Sequence, residues 1–341
     1  MKKLIVCMVL SLLLQVGSLY ILNNFVFINS SEFSSKKIET KKDLTKDINI
    51  TIPKDADNIY LSYEGRYLIY SKDKTLYIGE TKTGKENQIK TENNEEIMCY
   101  KWLDNRDILA VVEKVKKNGS ERIQLITYNA IDSSKTLVKE ICKYEKNIEV
   151  KNITASILTG VYYIDINKNG SKSLVYRIDR NDDLKKVDIN AGVLDNMQTM
   201  QHEDRLVYQD KITGKIFVTS PNKQLTFSSN KKLVLLGIDR NDVLYMGEVN
   251  GDKIATVIYG KVNENTFSWK KVAINSPVSR NDLYFSNKSE ILINDNLKES
   301  VKNLTTGEEI EYEGKLIQMK EDFIVTMDGK GKLTYKNLKD K

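Results

Sequence analysis

Apolar residues in this chain come in short runs set apart by turn-forming letters, and the cadence of run and turn repeats. It is clearest between Ile238 and Lys253, where a polar turn (Asp239 to Asp242) leads into an apolar run (Val243 to Gly247). The run ends at Asn250-Gly251 and a new one starts at Ile254. Asn-Gly between two apolar runs predicts a tight hairpin, because both central residues of that turn need positive φ. The same arrangement places Ser71 to Lys74 before Thr75 to Ile78, Asn118-Gly119 before Arg122 to Thr127, and Asn169-Gly170 before Ser173 to Ile178. It recurs as Thr213-Gly214 before Lys215 to Thr219 and Asp328-Gly329 before Leu333 to Lys336. Past the N-terminal segment no long helical period competes with this pattern.

Seven runs share similar flanks and read as the second strands of seven small antiparallel sheets. They are Tyr67 to Tyr70, Asp107 to Val112, Val161 to Asp165, Arg205 to Tyr208, Val243 to Met246, Glu290 to Ile293 and Asp322 to Thr326. Their starts lie 32 to 54 residues apart, and an irregular period near 40 with four strands per interval is that of β-propeller blades. Closing strands are expected at Glu86 to Lys90, Thr136 to Cys142, Leu184 to Ile189, Gln224 to Phe227, Ser268 to Ile274 and Glu308 to Tyr312. The last interval has no fourth strand of its own, whereas Asp47 to Ile52, ended by Pro53, forms an unclaimed strand ahead of the first. The expectation is therefore an all-β propeller of seven four-stranded blades closed by this N-terminal strand, which removes an open sheet edge. Six blades is the alternative, because Lys298 to Tyr312 is the most weakly patterned region.

The N-terminus is different. Lys2-Lys3 precede nineteen residues without a charge, Leu4 to Leu22, and a second apolar patch runs from Phe25 to Ile28. As a helix the charge-free run would rise about 28 Å, close to the ~30 Å of a hydrocarbon core. Residues 1–28 are thus expected to be a transmembrane signal-anchor with its N-terminus in the cytoplasm by the positive-inside rule. The competing reading is a signal peptide cleaved near Val16-Gly17-Ser18, giving a secreted protein. Residues 29–46, rich in Ser and Lys, are expected to be a polar stalk, and residues 47–341 the propeller.

Two turn-strand phrases, Leu61-Ser-Tyr-Glu-Gly-Arg-Tyr-Leu-Ile-Tyr70 and Trp102-Leu-Asp-Asn-Arg-Asp-Ile-Leu-Ala110, resemble the repeats of TolB-like and dipeptidyl-peptidase-type propellers, the WD40-like group. The resemblance spans about six blades. It implies the fold and no particular activity, since propellers host unrelated functions. The hydrolase domain that accompanies such propellers in peptidases is not expected, as the repeat pattern runs to the last residues.

Composition narrows the function. Of 341 residues, 40% are hydrophobic and 29% charged, and the net charge of +6 is spread along the chain. A dedicated nucleic-acid protein would gather its basic residues, so no nucleic-acid partner is expected. Abundant Lys, Asn and Ile fit an AT-rich bacterial genome. His202 is the single histidine and falls in a turn, which leaves no base for a Ser-His or Cys-His nucleophile system and no histidine metal site. Cys99 and Cys142 fall in the first and fourth strands of one blade, too far apart for a disulfide. Asp165-Ile-Asn-Lys-Asn-Gly170 has oxygens at alternate positions like the start of a calcium loop. However, Tyr176 stands where a bidentate Glu belongs, and hairpin chemistry explains the same letters. Trp102 and Trp269 are expected to pack between blades. No cofactor or metal is expected.

The remaining signal is electrostatic. The seven turns between second and third strands all emerge on one face, and they hold 12 Lys against 8 Asp plus Glu. Lys116, Lys117, Lys168, Lys172, Lys211 and Lys215 are the candidate residues of this basic face, able to attract an acidic protein or an anionic envelope polymer. The expected function is a non-catalytic binding or scaffolding module at the outer side of the cytoplasmic membrane, held by the N-terminal helix. The alternatives are a carbohydrate-active envelope enzyme and the ligand-sensing subunit of a membrane complex.

Overall fold

Each second strand is buried on both faces, and this decides the architecture. In the computed structural model, which describes residues 2–22, 48–91 and 96–338, residues 43–341 form one unit and residues 1–42 another. The larger unit holds seven antiparallel sheets in strict chain order: six of four strands and a final one of three. Their second strands are Tyr67–Lys72, Ile108–Lys117, Val161–Lys168, Leu206–Asp210, Val243–Asn250, Ile291–Asp295 and Phe323–Met327. Each starts within one residue of its expected position. We number the sheets I to VII as blades. Seven blades are present, and the weakly patterned region supplies the outer strands Ser300–Asn303 and Glu309–Glu311 of blade VI.

The apolar core is divided into seven clusters, one at every junction between neighbouring blades. Blade II shows how the period-2 alternation of a strand serves two neighbours at once. Leu109 and Val111 pack on blade I, while Ala110 and Val112 pack on blade III. A strand covered on both sides reads as an unbroken apolar run, which is why these second strands were the strongest sequence signal. Fourth strands are solvated by contrast, with Glu86–Gln88 fully exposed.

First strands line the centre of the ring. Six of the seven carry one extra residue opposite the second strand: between Asp57 and Tyr60, and at Met98, Lys151, Asp195, Leu236 and Ile317. Such bulges bend a strand and re-aim the extra side chain. Turns at the end of the ring that holds the first-to-second-strand loops also join neighbours. Ser156 Oγ donates to Gln201 O at 2.7 Å (blades III and IV), and Asn287 N donates to Glu321 Oε2 at 2.9 Å (VI and VII). Lys320 Nζ donates to Leu61 O at 2.9 Å (VII and I).

The N-terminal segment departs from expectation. Asp47 lies outside the described residues, and residues 48–52 do not become a fourth strand of blade VII. They make a single bridge, Thr51 with Lys332. Their backbone hydrogen bonds are divided between two blades, so no ladder forms with either: Ile52 N donates to Gly331 O and Asn49 N to Thr81 O, both at 2.9 Å. Ile48, Ile50 and Ile52 are buried among Leu61, Leu68, Phe323 and Leu333. Direct contacts between blades VII and I also exist without this segment, such as Leu61 N donating to Gln318 Oε1 at 2.9 Å.

The smaller unit contains the expected helix, Lys2–Ile21. Among the described residues no helix is long and apolar enough to cross a membrane. The second apolar patch and the stalk expected over residues 29–46 lie outside the described residues.

Gly331 has φ +87°, and a Cβ there would stand 2.1 Å from Ile52 O. Gly119 has φ +73° with nothing within 4 Å. Gly119→Ala should therefore cost only the backbone strain of about 1 kcal/mol, whereas Gly331→Ala should cost roughly 2–3 kcal/mol by adding a backbone collision. Urea unfolding of both variants measures this, and equal losses would show that the N-terminal segment is not held against Gly331.

Candidate functional site

Alternating strand direction sends two sets of loops to opposite ends of the ring. Turns joining second to third strands share one end with the connections between blades. All six lysines expected to form a basic face sit at that end, but their surroundings differ. Lys116 pairs with Glu121 across its ladder, and Lys117 Nζ lies 3.8 Å from Glu140 Oε2. Lys168 and Lys172 are direct cross-strand partners, a like-charge pairing that is unfavourable, and Lys168 turns its ammonium to Glu145. Lys172, Lys211 and Lys215 are exposed and make no ion pair among the described residues. Counting lysines in the turns alone missed Glu145 and Glu140, which reach this end from an inter-blade connection and a fourth strand. Of the six candidates, those without an ion pair belong to blades III and IV.

A cavity of ≈ 340 Å³ opens at the same place. It is lined by Lys151 and Asn152 from the first strand of blade III (Ile148–Ser156), Asp165 and Asn167 from its second strand, Asp195 and Asn196 from the first strand of blade IV (Leu194–Thr199), and Lys211. Lys151 and Asp195 are the extra residues of two bulges. Asp165 and Asn167 follow Tyr163 at period 2 and so face blade IV, where Tyr163 packs into the III–IV cluster. Both are 2% exposed, and the Oδ1 atom of each is without a hydrogen-bond partner. Burial pushes the Asp165 carboxyl up to about 6, with a Ser173 hydrogen bond and the Lys151 charge offsetting part of that. Asn196 is committed to the fold, donating to Leu235 O at 3.0 Å and accepting from Met197 N.

The calcium-loop letters are accounted for by this geometry. Asp165, Asn167 and Lys168 belong to a strand, and only Asn169 and Gly170 make the turn. Among the described residues no group of three or more His, Cys, Asp and Glu is placed to hold a metal ion. Asp165 and Asn167 were missed as cavity residues. The available signal was two polar letters inside an otherwise apolar second strand.

The other candidates are structural. His202 lies in the turn after the first strand of blade IV, its Nδ1 2.9 Å from Asp242 Oδ2. The Asp242 carboxylate also accepts from the backbone N–H groups of Gln201 and His202, so it staples blade V to blade IV. Cys99 and Cys142 are free, in the strands expected, and desolvation raises both thiols to about 11, which keeps them protonated. Trp269 precedes the fourth strand of blade V rather than lying within it. It is buried against Phe227 in the IV–V cluster, edge to face with ring centroids 5.3 Å apart. Trp102 donates its Nε1 to Tyr60 O at 3.0 Å and, with Tyr60, Tyr63, Tyr100, Lys101 and Gln318, lines a second cavity of ≈ 370 Å³ where the first strands of four blades meet. At the end of the ring away from the lysines, Arg240 of blade V stacks on the Tyr63 ring of blade I, 4.1 Å from its centroid, and donates to its hydroxyl at 2.9 Å.

No protein-family model matches the chain, and no curated protein does. Solved structures are similar in fold. An oligogalacturonate lyase in complex with manganese aligns at TM-score 0.56 and 8% identity over 81% of this chain and 86% of that one. The Cps50 (Swd1) β-propeller domain of Myceliophteria thermophila aligns at TM-score 0.55 and 10% identity over 85% and 100%. A chain of the mitotic checkpoint complex aligns at 0.53 and 11% over 86% and 94%. At these identities the likeness establishes the fold alone: the chain is a seven-bladed β-propeller.

Asp165 also sets a pH dependence. A carboxyl raised from 3.8 to about 6 binds its proton more tightly when folded, so its contribution to stability is full below pH ~4 and is lost as pH rises through ~6. Asp165→Asn should remove roughly 2 kcal/mol of the stability lost between pH 4 and 7.5. Urea midpoints of both proteins at the two pH values test this, and parallel behaviour would contradict the burial of the charge.

Proposed function

We propose that this propeller is a non-catalytic binding or scaffolding module that takes an anionic partner, an acidic protein or envelope polymer, on the end of the ring bearing the second-to-third-strand turns. The observation that carries the reading is the group of unpaired lysines, Lys172, Lys211 and Lys215. Apolar side chains stand free in turns of the same end. Ile212 is 79% exposed between Lys211 and Lys215, and Leu297 is 98% exposed beside Lys298. An exposed apolar residue between unpaired lysines, as Ile212 is, fits a recognition surface. The rigid ring below holds these turns without a conformational cost on binding.

In the same reading the protein stays at the outer side of the cytoplasmic membrane, and residues 48–52 fasten blade VII to blade I. Anchoring rests on the charge-free run Leu4 to Leu22 behind Lys2-Lys3 and on the exposed apolar surface of the helix, where Ile5, Leu13, Leu14 and Leu19 are 58–68% exposed.

Two measurements test this. Titration with poly-glutamate at low salt should give saturable binding that weakens about tenfold or more in Lys172→Glu/Lys211→Glu/Lys215→Glu and falls with ionic strength, as exposed charges are screened. Unchanged affinity in the triple variant would reject the basic end as the site. For the anchor, cells expressing the chain should retain it in the membrane pellet after high-salt washing and lose it when residues 2–22 are deleted. Recovery of the undeleted protein in the wash would reject anchoring.

A further inference from the structure

The cavity between blades III and IV has a floor with two unsatisfied acceptor oxygens and a rim that supplies positive charge, an asymmetry that calls for a particular kind of ligand. Asp165 and Asn167 are buried, yet each keeps an oxygen without a partner. Buried acceptors are almost always satisfied, because an orphaned one forfeits its hydration. The group that completes them must therefore donate hydrogen bonds, and beside a carboxylate a cationic donor is preferred to a neutral one. At the rim Lys211 is exposed and without an ion pair among the described residues, whereas Lys151 is shared with Glu149 at 2.6 Å. Two Lys and two Asp line the space, so the walls balance in charge while separating the two signs. The lining contains no aromatic ring, which leaves no platform for a sugar face. Among the described residues no group of three or more His, Cys, Asp and Glu surrounds the space to hold a metal ion. At ≈ 340 Å³ the cavity lies at the small end of ligand sites.

We infer that this cavity binds a small zwitterion, a free α-amino acid or dipeptide, with its ammonium on Asp165 and Asn167 and its carboxylate at Lys211. The inference rests on the reading of the chain as a binding module and names a second ligand for the same end of the ring. Asp165 also behaves as a functional rather than a stabilising residue, since a buried acid with an oxygen left without a partner works against the fold and is characteristic of sites.

The full chain is titrated calorimetrically with alanine and alanyl-alanine, and in parallel with N-acetyl-alanine, alanine amide, glucose and calcium chloride. Saturable one-to-one binding of at least one zwitterion is expected, with N-acetylation weakening it at least tenfold. Asp165→Asn should weaken it by a similar factor. Lys211→Met should weaken the zwitterion but leave alanine amide unaffected. Below pH 6 the affinity should fall as Asp165 takes up a proton. The charged groups facing it are Lys151, Asp195 and Lys211. Equal affinity for the acetylated compound, saturable binding of glucose or calcium in place of the zwitterions, or no binding of either zwitterion would overturn the inference. Poly-glutamate titration of the same preparation separates the two readings: if polymer binds and zwitterions do not, the ligand assignment alone fails.

Discussion

Everything in this fold follows from one requirement, that a small sheet with two apolar faces must be covered twice. No blade here can bury its second strand alone, because residues of alternate parity point to opposite neighbours, as Leu109 and Ala110 do. Coverage on both sides is available to all blades only if the stack returns on itself, and seven junction clusters show that it does. Stability is then distributed over seams between blades, as in other repeat architectures where neighbours supply the core. The outer strands contribute little to this and are free to carry charge.

The same requirement locates the candidate site. At the inner edge the sheets crowd together, and six first strands relieve the geometry with an extra residue. In blades III and IV those extra residues are Lys151 and Asp195, and the space between them is polar instead of packed. The second strand of blade III supplies Asp165 where blade II, at the same place beside its bulge, supplies Val112 to the seam with its neighbour. A fold that satisfies its apolar seams elsewhere tolerates one seam that opens into a cavity, at the cost in stability that Asp165 represents.

The sequence made the second strands legible because burial on both sides removes polar letters from them, and turn chemistry at Asn118-Gly119 and Asn169-Gly170 fixed the pairing. What it hid depended on long-range partition. Ile48, Ile50 and Ile52 have the alternation of a strand, yet their backbone is divided between Thr81 and Gly331, a choice that no local pattern records. Lysines in turns could be counted, but Glu145 and Glu140 reach the same end of the ring from other segments and answer Lys168 and Lys117. Asp165 was read as the last residue of the second strand, and nothing in the local pattern set it apart as a cavity residue. Its place on the cavity is apparent only once Tyr163, Asp165 and Asn167 are seen to share a side.

The contact between Arg240 and Tyr63 has a mechanical meaning of its own. Blades I and V are not neighbours, so this pair is a chord across the ring, dividing it into an arc through II, III and IV and an arc through VI and VII. A ring held only at its seams can begin to fray at whichever seam is weakest, leaving the others intact. With a chord in place, an opening that carries blade I away from blade V must also break this link on the far side of the axis. Local opening is thereby converted toward all-or-none opening, giving this narrow cation–aromatic contact an influence on cooperativity out of proportion to the area it buries.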